Sequence, residues 1–172
     1  MRPLAIQFAL TALLLPSGAL LAADDPRPTY SLRQEAPSTG SNLRREIAVG
    51  SVVPLDKKYS ELTREEQLLV KSQYDQMGPS DEPPFPLNGL APIYKAIATG
   101  QDKFLATGNL VLFVSINEKG DATSVSVLSS PDPEMTRFAA SVLLVEKYKP
   151  ALCNGAPCAM QFPFRIALKT RF

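Results

Sequence analysis

The chain contains no histidine and no tryptophan, and only two cysteines. The missing histidine removes the commonest general base, the commonest metal ligand and every histidine-dependent triad. Two cysteines alone cannot supply a four-thiolate zinc site. Ser129 and Ser130 are the only tempting nucleophiles, and without a histidine beside them they read as strand-end and helix-cap residues. The chain is therefore not expected to be an enzyme, and no cofactor or metal is expected. An excess of charge is missing too, since the formal net charge is +1. Arg2 is the only charged residue among the first 23. A chain without that segment is balanced and has no electrostatic footprint for nucleic acid or an anionic membrane. Glycine is scarce beside proline, 9 against 16. The prolines concentrate before residue 100.

A long uninterrupted apolar run is also lacking. The N-terminus has a basic start at Arg2 and a mostly apolar stretch from Leu4 to Leu15. Pro16-Ser17-Gly18 breaks it, and small residues follow up to Ala22-Ala23. That order describes a secretory signal peptide covering 1–22, cleaved after Ala22 or Ala23. Spanning a bilayer takes about 20 apolar residues in one helix, and this run is shorter. The expected product is exported, and membrane contact is expected only if the N-terminal helix is retained.

Export fits the cysteines. Cys153 and Cys158 flank Asn154-Gly155-Ala156-Pro157, a short loop of turn residues. In an oxidising compartment two nearby cysteines form a disulfide. Redox-active pairs usually have two residues between them and sit at a helix start. Here there are four in a turn, so Cys153–Cys158 reads as a structural bridge bracing the turn into the last strand.

Residues 23–50 are polar, proline-containing and without periodicity, which reads as a flexible leader. Residues 51–104 read as a helical front section with a proline-rich turn. Thr63 and Glu66 have capping-box spacing. Val70, Tyr74 and Met77 follow at helical spacing, and Gly78-Pro79 should stop that helix. Asp81 to Pro86 should take an extended, irregular path, with Asp81-Glu82 in a solvated turn and Phe85 anchored on the core. Asn88 is placed to cap a second helix whose Leu90, Ile93, Tyr94 and Ile97 share a face, with Gly100 ending it.

Residues 105–172 carry the strongest pattern. Leu110, Leu112, Val114 and Ile116 alternate with Val111, Phe113 and Ser115, the period of a strand with one face on a helix layer. Glu118-Lys119-Gly120 is a hairpin loop. Val125 and Val127 alternate with Ser124 and Ser126, which gives a sheet with one wet face. Asp132 and Pro133 open a helix expected to run to Lys149, buried through Met135, Ala139, Val142, Leu143 and Val145. Lys147 and Lys149 would then favour its C-terminal dipole. Phe162, Phe164, Ile166 and Leu168 form the last strand, and Pro163 within it argues for an edge or a bulge. The expected class is α+β: a small antiparallel three-stranded sheet packed on helices.

These residues resemble the C-terminal domain of the TonB energy transducers. Gly108 to Ile116 is similar to the family's Gly-x-Val/Leu-x-Leu-x-Val-x-Ile strand. Gly120 stands at its turn glycine, and Val125 to Ser130 resembles Val-x-Val-x-x-Ser-Ser. Ala139-Ala140, Tyr148-Lys149-Pro150-Ala151, Asn154-Gly155-Ala156-Pro157 and Phe162 to Ile166 follow in the family's order. The resemblance implies a periplasmic domain whose last strand pairs with a short segment of an outer-membrane transporter. Carried onto this chain, the partner-binding strand is Phe164, Arg165, Ile166, Ala167, Leu168 and Lys169. That family keeps an N-terminal transmembrane helix, often with a histidine, and a long proline-rich spacer. This chain has no histidine, is expected to lose its N-terminal helix, and has only about 30 residues between the signal and the front helices. The expected function is thus a soluble periplasmic protein that binds an envelope protein or extended peptide by strand addition, linked to TonB-dependent transport. The alternatives are a membrane-anchored transducer with an uncleaved N-terminal helix, and a structural envelope-assembly protein without a transport role.

Overall fold

Strand alternation around residue 110 organises the structure. The computed structural model describes residues 29–32, 51 and 53–169. The expected signal segment and all of the leader outside 29–32 lie beyond those residues. In chain order the elements are β1 (Thr29–Leu32), α1 (Arg64–Lys71), β2 (Phe85–Pro86), α2 (Ala91–Phe104), β3 (Gly108–Ile116), β4 (Ala122–Ser129), α3 (Pro133–Val145), β5 (Tyr148–Lys149), β6 (Ala151–Cys153), β7 (Ala156–Cys158) and β8 (Met160–Leu168). The class is α+β. Among the described residues no helix is long and apolar enough to cross a membrane.

The main sheet has the order β1-β4-β3-β8. Its antiparallel part is the expected three strands, with β3 central. β8 pairs with β3 from Gly108 opposite Leu168 to Ile116 opposite Met160. β1 is an addition: it lies in the segment read as a flexible leader, yet pairs in parallel with β4, Thr29 opposite Ser124 and Leu32 opposite Val127. Four residues are too few to show a period. Thr-Tyr-Ser-Leu nonetheless suits a strand, and the outer edge of β4 offers unpaired backbone groups.

The apolar set of β3 faces the helices as its alternation dictates: Leu110, Leu112, Val114 and Ile116 are buried, with Val125 and Val127 beside them on β4. α2 and α3 pack on each other, and α3 packs on β3 and β4. Val53, Leu62, Val70, Phe85, Ile93 and Ile97 of the front section join the same core cluster as the strands. The front section is thus packed into the core of the C-terminal unit.

Several local expectations are met. The Thr63–Glu66 capping box is formed in both directions. Gly120 adopts φ +84, the left-handed value its turn needs. Asn117 Oδ1 accepts from the amides of Lys119 and Asp121 and closes that turn. Asp132 caps α3 by accepting from Met135 N at 2.7 Å.

Others are corrected. α1 stops at Lys71, so Tyr74 and Met77 lie beyond it. The later turn at Gly78 is built by Asp81, whose carboxylate accepts from Gly78 N. Asn88 does not cap α2; the amides of Leu90 and Ala91 donate instead to Leu55 O. Gly100 does not end α2 but lies within it, and the C-cap is Leu105 at φ +53. α3 ends at Val145, which is 78% exposed rather than part of the buried stripe. The chain beyond is pulled into strand pairing: Tyr148 N donates to Gly120 O, and β5 pairs with β2. Lys147 and Lys149 therefore sit off the helix and pair with Asp121 and Glu82. The proline-rich segment is more regular than expected, since Phe85–Pro86 forms β2 and Glu82 bridges to Leu152. Phe85 itself is buried, as expected.

Candidate docking edge

β8 is a strand because Phe162, Phe164, Ile166 and Leu168 alternate, and because β3 offers a matching apolar row. In an antiparallel ladder, alternate residues turn both backbone groups towards the partner or away from it. Three carbonyls identify the outward set. Tyr74 Oη donates to Gln161 O at 2.9 Å, Tyr94 Oη to Arg165 O at 2.9 Å, and Gln101 Nε2 to Lys169 O at 2.7 Å. These acceptors are four residues apart, so the odd-numbered residues of β8 face away from β3. Pro163 belongs to that set, and its missing N–H costs no bond to β3. Among the described residues no strand lies beyond β8.

The predicted partner-binding residues divide by parity. Phe164 and Leu168 are buried among the helices, and Ile166 packs against the same core. The ring of Phe164 lies 5.3 Å from that of Tyr94. Arg165 points to the other face, where its guanidinium lies 5.9 Å from the Phe113 ring and Nη1 donates to Gln73 Oε1 at 2.8 Å. Burial holds Arg165 below its ordinary pKa, against the opposing effect of the Tyr74 and Tyr94 phenols. Ala167 is half-buried and Lys169 is exposed. The strand therefore presents a backbone edge and two reachable side chains.

Tyr74, Tyr94 and Gln101 were not legible as part of this edge. A signal existed for Tyr94: it is a phenol on an apolar helix face with Leu90, Ile93 and Ile97, and a buried hydroxyl needs a bonding partner. Burial pushes its pKa up to about 12, so it remains a donor. Behind Tyr74 and Tyr94 a cavity of about 30 Å³ is bounded by Val53, Val70, Phe162 and Phe164. It has room for about one water.

The second predicted site is a bridge. Cys153 and Cys158 are joined, with Cα atoms 5.8 Å apart. They close the β6–β7 hairpin, whose turn uses Asn154 at φ +51 and Gly155 at φ +81. Asp81 Oδ1 accepts from Asn154 N at 2.7 Å, which ties the hairpin to the front section. Ser129 Oγ donates to Asn109 O, and Ser130 Oγ bonds Thr136 Oγ1 at the start of α3. Among the described residues no group of three or more Cys, Asp or Glu side chains is placed to hold a metal ion. Comparison of the chain with protein-family models, curated proteins and solved structures finds no match.

Proposed function

We propose that the protein is an exported, non-enzymatic binding module of the cell envelope. It takes an extended segment of another envelope protein by strand addition along β8. The observation that supports this reading is the place of β8 at the end of the sheet order. An edge strand carries a row of backbone groups that a further chain can pair with. Affinity then comes from main-chain bonds and selectivity from alternate side chains. The side chains of Phe164 and Leu168 are committed to the core. Selection falls to Ala167 and the exposed cation of Lys169, which suit a partner strand with a small residue and an acidic one. The resemblance to the TonB C-terminal domain points to segments of outer-membrane transporters as that partner class.

The test is amide hydrogen exchange along β8, with and without synthetic peptides from the periplasmic segments of such transporters. New protection between Phe164 and Lys169 is the expected result. Unchanged exchange with every peptide at saturating concentration would remove the reading. The N-terminal residue of the exported chain, read by mass spectrometry, separates a released binder from an anchored transducer. A start at Ala23 or Asp24 is expected for the former, and intact Met1 in the inner membrane for the latter.

A further inference from the structure

The outward carbonyls of β8 are already engaged, by side chains from the front section. Tyr94 and Gln101 lie on α2, two turns apart, and reach Arg165 O and Lys169 O, which are also four residues apart on one edge. Two helical turns rise about 11 Å and four strand residues about 13 Å, so the spacings match. Tyr74 continues the row at Gln161 O. The donors thus follow the edge much as the amides of a neighbouring strand would. Gln101 also donates to Ala106 O, which fixes it at the end of α2. No described side chain bonds the carbonyl of Ala167, which lies between the two occupied positions.

We propose that Tyr94 and Gln101, extended by Tyr74, form a side-chain lock that stands in for a strand on the outer edge of β8, and that a partner strand must displace it. This rests on the strand-addition reading. In the closed state Ala167 has the one outward carbonyl between Arg165 and Lys169, so contact there is short. Release of Tyr94 and Gln101 restores the carbonyls of Arg165 and Lys169 and gives a partner three consecutive outward positions. Arg165 keeps its own side-chain contact with Gln73 throughout, since that lies on the opposite face. Negative control of an exposed edge by covering it is a general device against unwanted pairing.

The variant Tyr94→Phe/Gln101→Ala removes both donors and keeps the aromatic contact with Phe164. The probe is a synthetic peptide of residues 122–129, an alternating Val/Ser segment that forms an antiparallel strand in this fold. Titration of the exported chain should give the double variant an affinity about ten-fold higher than wild type, the scale of two neutral hydrogen bonds, with new amide protection at Ala167. Equal affinity, with Ala167 protected in both, would overturn the lock and leave strand addition standing. No binding to either protein would overturn the lock, and protection of Phe164 to Lys169 by a transporter peptide would then leave strand addition standing. Gln101→Ala alone leaves the ring packing untouched and is expected to fall between the two. It carries the same outcomes if the double variant does not fold.

Discussion

The ring of Phe138 on α3 lies against Gly100 on α2, where a Cβ would overlap its Cε1 and Cδ1 atoms. The two helices approach through that missing side chain, and Phe104 packs on the same ring with centroids 5.9 Å apart. Alanine at this position gains helix propensity but forces the ring aside. Gly100→Ala is expected to destabilise the fold by about 1–2 kcal/mol, overpacking outweighing a propensity gain of about 1 kcal/mol. Urea denaturation measures it, and a stabilised variant would show that the ring moves freely.

Gly100 also shows what the sequence could and could not disclose. A glycine late in a helical pattern is a stop signal in most chains, and only the packing of α3 reveals it as a crossing point. Strands β3, β4 and β8, the Gly120 turn and the Asp132 cap were legible because each rests on local alternation or on one residue's conformational preference. The end of α3 was not, because Tyr148 leaves the helix to pair with β2 and the Gly120 turn, a tertiary contact. The edge strand was legible from Pro163 and its alternation. The residues that occupy it were not, because Tyr74, Tyr94 and Gln101 meet β8 only across 68 to 87 residues of chain.

The Cys153–Cys158 bridge closes a hairpin that other bonds also hold, through Asp81 at Asn154 and Glu82 at Leu152. Its removal should therefore weaken the protein without unfolding it. Cys153→Ser/Cys158→Ser is expected to lower stability by about 1–3 kcal/mol, the scale for a small loop. Denaturant titration reads the loss. Alkylation of two thiols in the unreduced protein would contradict the bridge.

Asp81 links two distant turns. Hydrogen bonds from Asn154 N, and then from Gly78 N, hold its carboxyl below the ordinary carboxylate range. A carboxyl that binds its proton less tightly when folded supports the fold above its unfolded pKa of about 4, and that support is lost as pH falls through the folded value. Asp81→Asn should thus lower stability at neutral pH and flatten the acid limb of the stability profile. Chemical denaturation from pH about 7 down to about 2 tests this. Parallel curves for the two proteins would remove Asp81 from the account.

The phenols give the opposite limb. Burial raises Tyr59 and Tyr94 to about 12 and pushes Tyr74 and Tyr148 further still. In Tyr74, Tyr94 and Tyr148 the protonated hydroxyl donates to a backbone carbonyl, of Gln161, Arg165 and Leu143 respectively. Ionisation would take away each donor and place a charge in the core. A phenol that holds its proton more tightly when folded supports the fold fully below its unfolded pKa of about 10. That support is lost as pH rises from there through the folded value. Stability should be level up to pH about 9 and fall steeply above about 10. The chain has five tyrosines, and Tyr30→Phe leaves only these four to titrate. In that variant phenolate absorbance should rise in a single step, together with the loss of circular dichroism, because the phenols gain water only when the chain opens. Phenolate appearing in full while the dichroism is intact would show that they reach solvent in the folded protein, and the bonds from Tyr74 and Tyr94 to β8 would then not hold.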